Sequence, residues 1–337
     1  MVGQSQVFYE PTSPTSCPDG NEIDERAVRW LIDSKLCAPD SPVTRINVGE
    51  FIAQCYPYCT DMEVLDIAAA LNYLGFAFDD EHVTDPELRT CSGLAPAVGR
   101  LLAVLDSPEA PGRSAYEAAL QDIVCRLADA TNGGNVAQVA DGLRKALLYT
   151  LWHMSNWERG VLPDLNSYVT LRINDCGGPW FNAFVPICGG YELTAEEARI
   201  PRVLAISQAI ALAAGIDNDI FSFSREDAVG QRNIVHILMN EGGLTLDEAT
   251  SDAIRLRNKI LYLYARLRDK SQSDGSPAAR QYARDIGHVV RGNFQWSVRT
   301  DRYRVETRTP PTRTSDARDI DPKPVPLPAI AWWWDLL

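Results

Sequence analysis

Residues 201–226 read PRVLAISQAIALAAGIDNDIFSFSRE. From Pro201 to Ile216 the run is apolar almost all round and rich in alanine, which marks a helix at the centre of a bundle and not at its edge. At its end three oxygen-bearing side chains, Asn218, Ser222 and Glu226, recur every fourth residue. On a helix each four-residue step turns only about 40° past a full turn, so the three stay on one side within reach of a single cation. Amide, hydroxyl and carboxylate oxygens form a hard, low-charge set that suits Mg²⁺, which usually keeps waters and takes its other ligands from a substrate phosphate. Arg225 stands beside them, placed to contact such a phosphate. The competing reading is a polar helix end, with Ser222 bonded back to its own backbone and Glu226 solvated. It leaves polar oxygens emerging from a buried helix with nothing to balance their desolvation.

A second acidic cluster lies upstream, where the apolar run Val64, Leu65, Ile67, Ala68, Leu71, Leu74, Phe76, Phe78 ends in Asp79-Asp80-Glu81, with Asp85 a few residues on. Adjacent carboxylates repel, and the negative end of a helix dipole makes the repulsion worse, so a cation or water must hold them. Two oxygen-rich clusters, each ending an apolar helix, together suit several Mg²⁺ ions bridging one diphosphate.

With these residues in view the chain resembles the class I terpene synthases of the microbial type. Their second metal motif reads Asn-Asp, two residues, Ser or Thr, two residues, Lys or Arg, then an acid, and NDIFSFSRE satisfies every position. Their first motif maps onto Asp79 and Asp80, with Glu81 too near and Asp85 one place too far for its third acid. Counting back forty-six residues from Asn218, where the family carries its diphosphate-sensing arginine, lands on Arg172. The family's helix breaks just after that residue, and Asn174-Asp175-Cys176-Gly177-Gly178-Pro179 supplies a break that no continuous helix favours. The resemblance makes Asp175 the linker acid and Cys176 the effector position, with Gly177 as the alternative. Arg302-Tyr303 matches the family's closing pair near the C-terminus.

The resemblance implies an all-α fold, a single-domain antiparallel helical bundle around a central apolar cavity, and an enzyme that ionises a linear isoprenyl diphosphate with Mg²⁺, three ions in number, and cyclises the cation. Farnesyl diphosphate is the first expectation and geranylgeranyl diphosphate the second. Cavity aromatics are expected from Phe76, one turn before Asp79, and Trp296, six residues before Arg302; Tyr56, Trp180, Phe181 and Phe184 are further candidates. A chain-elongating prenyl transferase or a head-to-head prenyl coupling enzyme would use paired acidic motifs in place of the Asn/Ser/Glu pattern. A noncatalytic helical lipid-binding protein would not need both metal clusters with Arg172 and Arg302 in register.

Composition agrees with this picture. The chain has 337 residues, 45% of them hydrophobic, and a formal net charge of −13, which argues against nucleic acid and against adhesion to anionic membranes. No N-terminal stretch resembles a signal peptide, so a cytoplasmic protein without stable membrane insertion is expected. Eight scattered cysteines show no zinc spacing and read as buried free thiols, and the four histidines are isolated. Residues 1–22 read as a loose arm, 23–304 as the helical domain, and 305–337 as a proline-rich tail that cannot be a helix. Within the domain, helices are expected over 61–79, 164–175, 180–187, 199–226 and 277–303 among others, with breaks such as Asp106-Ser107-Pro108 and Asn132-Gly133-Gly134. The terminal Trp332-Trp333-Trp334 is expected to dock on the body or on another chain, the latter giving a homodimer.

Overall fold

The computed structural model describes residues 7–15, 17–85, 87–131, 136–304 and 311–337, and for residues 83 and 84 the backbone alone. The expected break at Asn132-Gly133-Gly134 lies outside the described residues. Helices dominate: α1 (Gly20–Asp33), α2 (Val48–Cys55), α3 (Met62–Thr84), α4 (Cys91–Asp106), α5 (Ala115–Ala130), α6 (Val136–Glu158), α7 (Leu165–Asp175), α8 (Gly178–Gly189), α9 (Ala195–Ala198), α10 (Pro201–Ala228), α11 (Ile234–Gly242), α12 (Leu246–Asp274), α13 (Pro277–Asp285), α14 (Gly287–Arg299) and α15 (Pro328–Ala331). Their starts follow local chemistry. Asp61 caps α3 by accepting from the backbone of Glu63 and Val64, Ser114 caps α5, and Thr245 forms a capping box with Glu248 on α12.

The all-round apolar helix is where its composition places it. α10 packs on α7, α8, α12 and α14, and its buried Ala205, Ala209, Ala211 and Ala213 let those neighbours come close. By length and composition α10 could cross a membrane, yet 72% of that stretch is buried inside the bundle. Its surroundings are other helices.

Several boundaries differ from the expectation. α3 does not stop at Asp79; it continues to Thr84, so Asp79, Asp80 and Glu81 sit within its last turns. The expected helix 277–303 is divided at Ile286 into α13 and α14, and Asp301–Tyr303 form a separate 3₁₀ turn. The N-terminal arm is not loose where it is described. Strand β1 (Val7–Tyr9) pairs in parallel with β2 (Thr312–Thr314), and Phe8 is buried against Phe221 and Phe294. Arg257, fully buried on α12, clamps this strand to the core, since its guanidinium meets Glu10, the Tyr9 carbonyl and Asp217 of α10. Residues 1–6 and 16 of that arm lie outside the description.

The tail is likewise part of the body. Pro328 occupies the first turn of α15, where a missing N–H costs nothing, so a proline-rich stretch can still begin a helix. Trp332–Leu336 continue as a 3₁₀ helix. Trp333 is fully buried and its indole N–H donates to Gln208 Oε1 at 3.2 Å, so the tryptophan cluster docks on its own chain.

Candidate active site

A cavity of about 280 Å³ opens between α3, α4, α5, α6, α8, α10 and α14. Leu71, Leu74, Leu101, Leu120, Leu143 and Leu147 supply much of its apolar wall. Aromatic rings from three helices and the last turn form another side. Phe51 stacks on Trp296 at 4.9 Å between centroids, Phe76 lies 5.4 Å from Trp296, and Tyr303 meets it edge-on at 5.5 Å. Trp180 and Phe181 of α8 also line the space.

Polar side chains gather in one hydrogen-bonded cluster on this cavity. Arg172 is the hub. Its guanidinium donates to Asn218 Oδ1 at 2.6 Å and to Asp175 Oδ1 at 3.1 Å, and lies 2.7 Å from Asp219 Oδ1. Burial opposes its charge, but Asp219 and Asp175 outweigh this and hold its pKa well above the ordinary value. The approach depends on Gly215, because a Cβ there would stand 3.0 Å from Arg172 Cγ and 3.2 Å from Nε. Asn218 in turn donates to the Tyr303 hydroxyl at 2.7 Å, so one amide joins the expected sensor to the expected closing pair. Asp219, buried and bonded by the Tyr168 hydroxyl at 2.7 Å, is pushed by burial up to about 7 in spite of Arg172.

The remaining metal candidates fall into two groups. On α10 Ser222 Oγ donates to Glu226 Oε1 at 2.6 Å, while Asn233 of α11 donates to Glu226 Oε2 at 2.8 Å. On α3 Asp79 and Asp80 share two arginines. Arg302 reaches Asp79 Oδ2 at 3.0 Å and Asp80 Oδ1 at 2.7 Å, and Arg225 bonds Asp80. Burial would raise the Asp79 pKa, but His82, Arg302 and Arg225 together hold it below the usual carboxylate range. Arg302 also lies over the Phe76 ring, 4.8 Å from its centroid.

The expected sequence break is present. α7 ends at Asp175, Cys176 caps it, and Gly177 adopts a left-handed φ of 79° before α8 begins. A side chain at Gly177 would strike the Trp180 indole, with Cβ only 2.5 Å from Nε1. Asp175, Cys176 and Gly177 all line the cavity.

Of the residues singled out in the sequence, Phe76, Trp180, Phe181, Trp296, Asp79, Arg172, Asn218, Arg225, Glu226, Arg302 and Tyr303 also line it. Asp80 and Ser222 stand one hydrogen bond behind this wall. Tyr56 is a correction. It caps α2 facing inward, is 1% exposed, and its hydroxyl donates to the Phe181 carbonyl at 2.8 Å, so it supports the cavity wall from behind without lining it. Phe184 is likewise buried outside it. Asp85 ends α3 and accepts from the backbone of Glu87. Neither Asp85 nor Glu81 lines the cavity. Sequence reading missed Phe51, which carries no motif, and His153, whose ring bonds Asp175 from another helix.

The donor set can be tested against what it is expected to hold. Asn218, Ser222 and Glu226 can each offer an oxygen from one helix face, which is Mg²⁺ chemistry. Among the described residues no three His, Cys, Asp or Glu side chains converge, so the mixed Asn/Ser/Glu set, and not a purely acidic one, is the candidate. Arg172 Nε and Arg302 Nε are buried with no hydrogen-bond partner among the described residues and retain donor capacity for an anion.

Comparison with known proteins decides the family. A family model described as terpene synthase family 2, C-terminal metal binding, matches residues 70–261, more than half of the chain. The chain belongs to the terpene synthase family. Spiroviolene synthase of Streptomyces violens is 29% identical over 343 residues, covering 97% of this chain and 96% of that protein. A (+)-T-muurolol synthase of Streptomyces clavuligerus, named as cyclising (2E,6E)-farnesyl diphosphate, is 27% identical over 97% of this chain and 81% of its own. Among solved structures, the SVS_A2 protein from ancestral sequence reconstruction superposes with a TM-score of 0.88 at 29% identity, covering 99% of this chain and 100% of that one. The molecule is thus a terpene cyclase, an enzyme of the lyase class acting on an isoprenyl diphosphate, and the matched region is the family's metal-binding one. The prenyl transferase, head-to-head coupling and lipid-binding readings fall on the same match.

Proposed function

We propose that this terpene synthase takes farnesyl diphosphate in the cytoplasm, ionises it with three Mg²⁺ ions, and cyclises the cation in the cavity between α3, α6, α8, α10 and α14. The observation that carries the reading is the convergence of two bonded sets, Arg172–Asn218–Tyr303 and Arg302–Asp79, at the wall of an apolar, aromatic-lined space. Asn218, Ser222 and Glu226 on one side and Asp79 and Asp80 on the other would hold the metal. Bound Mg²⁺ supplies neutralisation of the departing diphosphate charge, so the allylic C–O bond can break without a protein acid. Arg172, Arg225 and Arg302 give the same anion planar donors, and the unpartnered Nε atoms of Arg172 and Arg302 suit that task. The aromatic faces of Phe76, Phe51 and Trp296 steady the cation, and the leucine wall offers it no base. Farnesyl is preferred on two supports: the cavity lies near the lower end of ligand-pocket volumes, roughly 300–1,000 Å³, and the muurolol relative is named for that substrate.

Purified protein incubated with Mg²⁺ and geranyl, farnesyl or geranylgeranyl diphosphate in turn tests this. Cyclic hydrocarbon or alcohol should form from farnesyl diphosphate, and chelation of the metal should stop diphosphate release. Turnover confined to geranylgeranyl diphosphate would overturn the chain length and leave the metal reading standing.

Product control should reside in the aromatic wall. Trp296 is 3% exposed, donates to the Ile46 carbonyl at 2.7 Å and touches Phe51, Phe76 and Tyr303. Trp296→Ala removes about 3–5 kcal/mol of packing together with a cation-facing ring. The variant should still release diphosphate, but with more acyclic and monocyclic products by gas chromatography. An unchanged profile at lowered stability would place Trp296 in the structural core.

A further inference from the structure

His153 is bonded to this cluster although no sequence motif announced it. It comes from α6, lines the cavity, and also borders a second cavity of about 240 Å³ beside the α6–α7 connection. Its Nδ1 lies 3.0 Å from Asp175 Oδ2, while the other carboxylate oxygen accepts from Arg172 at 3.1 Å. Each oxygen of Asp175 therefore has one cationic or N–H partner.

Asp175 needs both. Its side chain is only 4% exposed, and it is the last residue of α7, where the helix dipole is already negative. Burial alone would raise its pKa, and Arg172 and His153 reverse that. Arg172, however, is divided among Asp175, Asn218 and Asp219. An anion that draws the guanidinium towards the cavity weakens its hold on Asp175, and a buried carboxylate left unpaired is costly. The remaining partner is then His153.

We propose that His153 is a positioning residue: it anchors Asp175 from α6, so that Arg172 can turn to a diphosphate without the end of α7 shifting. This rests on the reading of Arg172 as the diphosphate sensor. The side-chain hydrogen bond of His153 goes to Asp175, and it acts through that residue.

His153→Leu removes the bond and keeps most of the volume that separates the two cavities, whereas His153→Gln keeps an N–H able to reach Asp175. Two measurements are made on each: steady-state diphosphate release from farnesyl diphosphate, and calorimetric affinity for inorganic diphosphate with Mg²⁺. With leucine, kcat should fall about 10- to 100-fold, the cost typical of losing a supporting hydrogen bond behind a binding group. KM should change less, and diphosphate affinity should weaken roughly tenfold by the same reasoning. Glutamine should recover most of both losses. Wild-type kcat and diphosphate affinity in the leucine variant would overturn the proposal. So would equal losses in both variants that follow a common drop in melting temperature, since that marks a merely structural residue. Wild-type protein that binds inorganic diphosphate but turns over no isoprenyl diphosphate would refute the proposed reaction while the affinities still judge His153; failure to bind it at all would overturn both.

Discussion

Alanine at Asn218 is expected to lower diphosphate release by on the order of 10³-fold, because it removes a proposed metal ligand and the amide that joins two anion-facing groups. Asn218 Oδ1 accepts from Arg172 and its Nδ2 donates to Tyr303, so the substitution cuts both links at once. The fold should survive. Asn218 buries no large apolar surface, Arg172 keeps Asp175 and Asp219, and the loss amounts to about 1–2 kcal/mol of hydrogen bonding. Circular dichroism and the melting temperature should therefore stay near those of the parent while product disappears. Glu226→Ala should behave alike, since Ser222 and Asn233 can repartner around a small residue on a half-buried face. Full turnover by the double variant would remove the metal assignment from α10.

Lysine at Arg172 keeps the charge and should nonetheless reduce kcat/KM by about 10²- to 10³-fold. The reason is shape. One planar fork reaches Asp175 on its own helix and both Asn218 and Asp219 on α10, lying flat over Gly215. An ammonium is a compact point charge that satisfies one such partner well and leaves the others short. Because Asp219 and Asp175 are buried, the variant should also lose about 1–3 kcal/mol of stability from groups left unsatisfied. An unchanged rate would mean that Arg172 is a structural ion pair whose distance from the metal motif has no bearing on chemistry.

The two expectations differ in how they were legible. Asn218, Ser222 and Glu226 lie on one helix, so their convergence follows from the 3.6-residue turn and needs no neighbour. Arg172 could be picked out only by its registered distance from Asn218 and by the break behind it; nothing local says that its guanidinium meets that amide. The same contrast runs through the pocket. Phe76 and Trp296 were legible as offsets from Asp79 and Arg302, and both line the cavity. Tyr56, a candidate without such an offset, lies behind Phe181, while Phe51, with no motif beside it, stacks on Trp296.

Chain ends were misread for a related reason. Polar, proline-bearing composition describes a solvated segment when no partner is present. Phe8 finds Phe221 and Phe294, Glu10 finds Arg257, and Trp333 finds Gln208, all across more than a hundred residues of chain. Those contacts stabilise β1 and the tail without leaving a local signature.

What the amino-acid order determined alone was what short-range geometry governs: the positions of most helices, the centrality of α10, the face of Asn218, Ser222 and Glu226 proposed to hold metal, and the glycine break after Asp175. Only the tertiary structure decided which side chains complete one another across helices, from Arg172 with Asn218 to His153 with Asp175, and which aromatic rings open onto the cavity. Periodicity sets the direction in which a side chain leaves its own helix, but the group it meets depends on how separate helices pack, and that is a property of the whole chain.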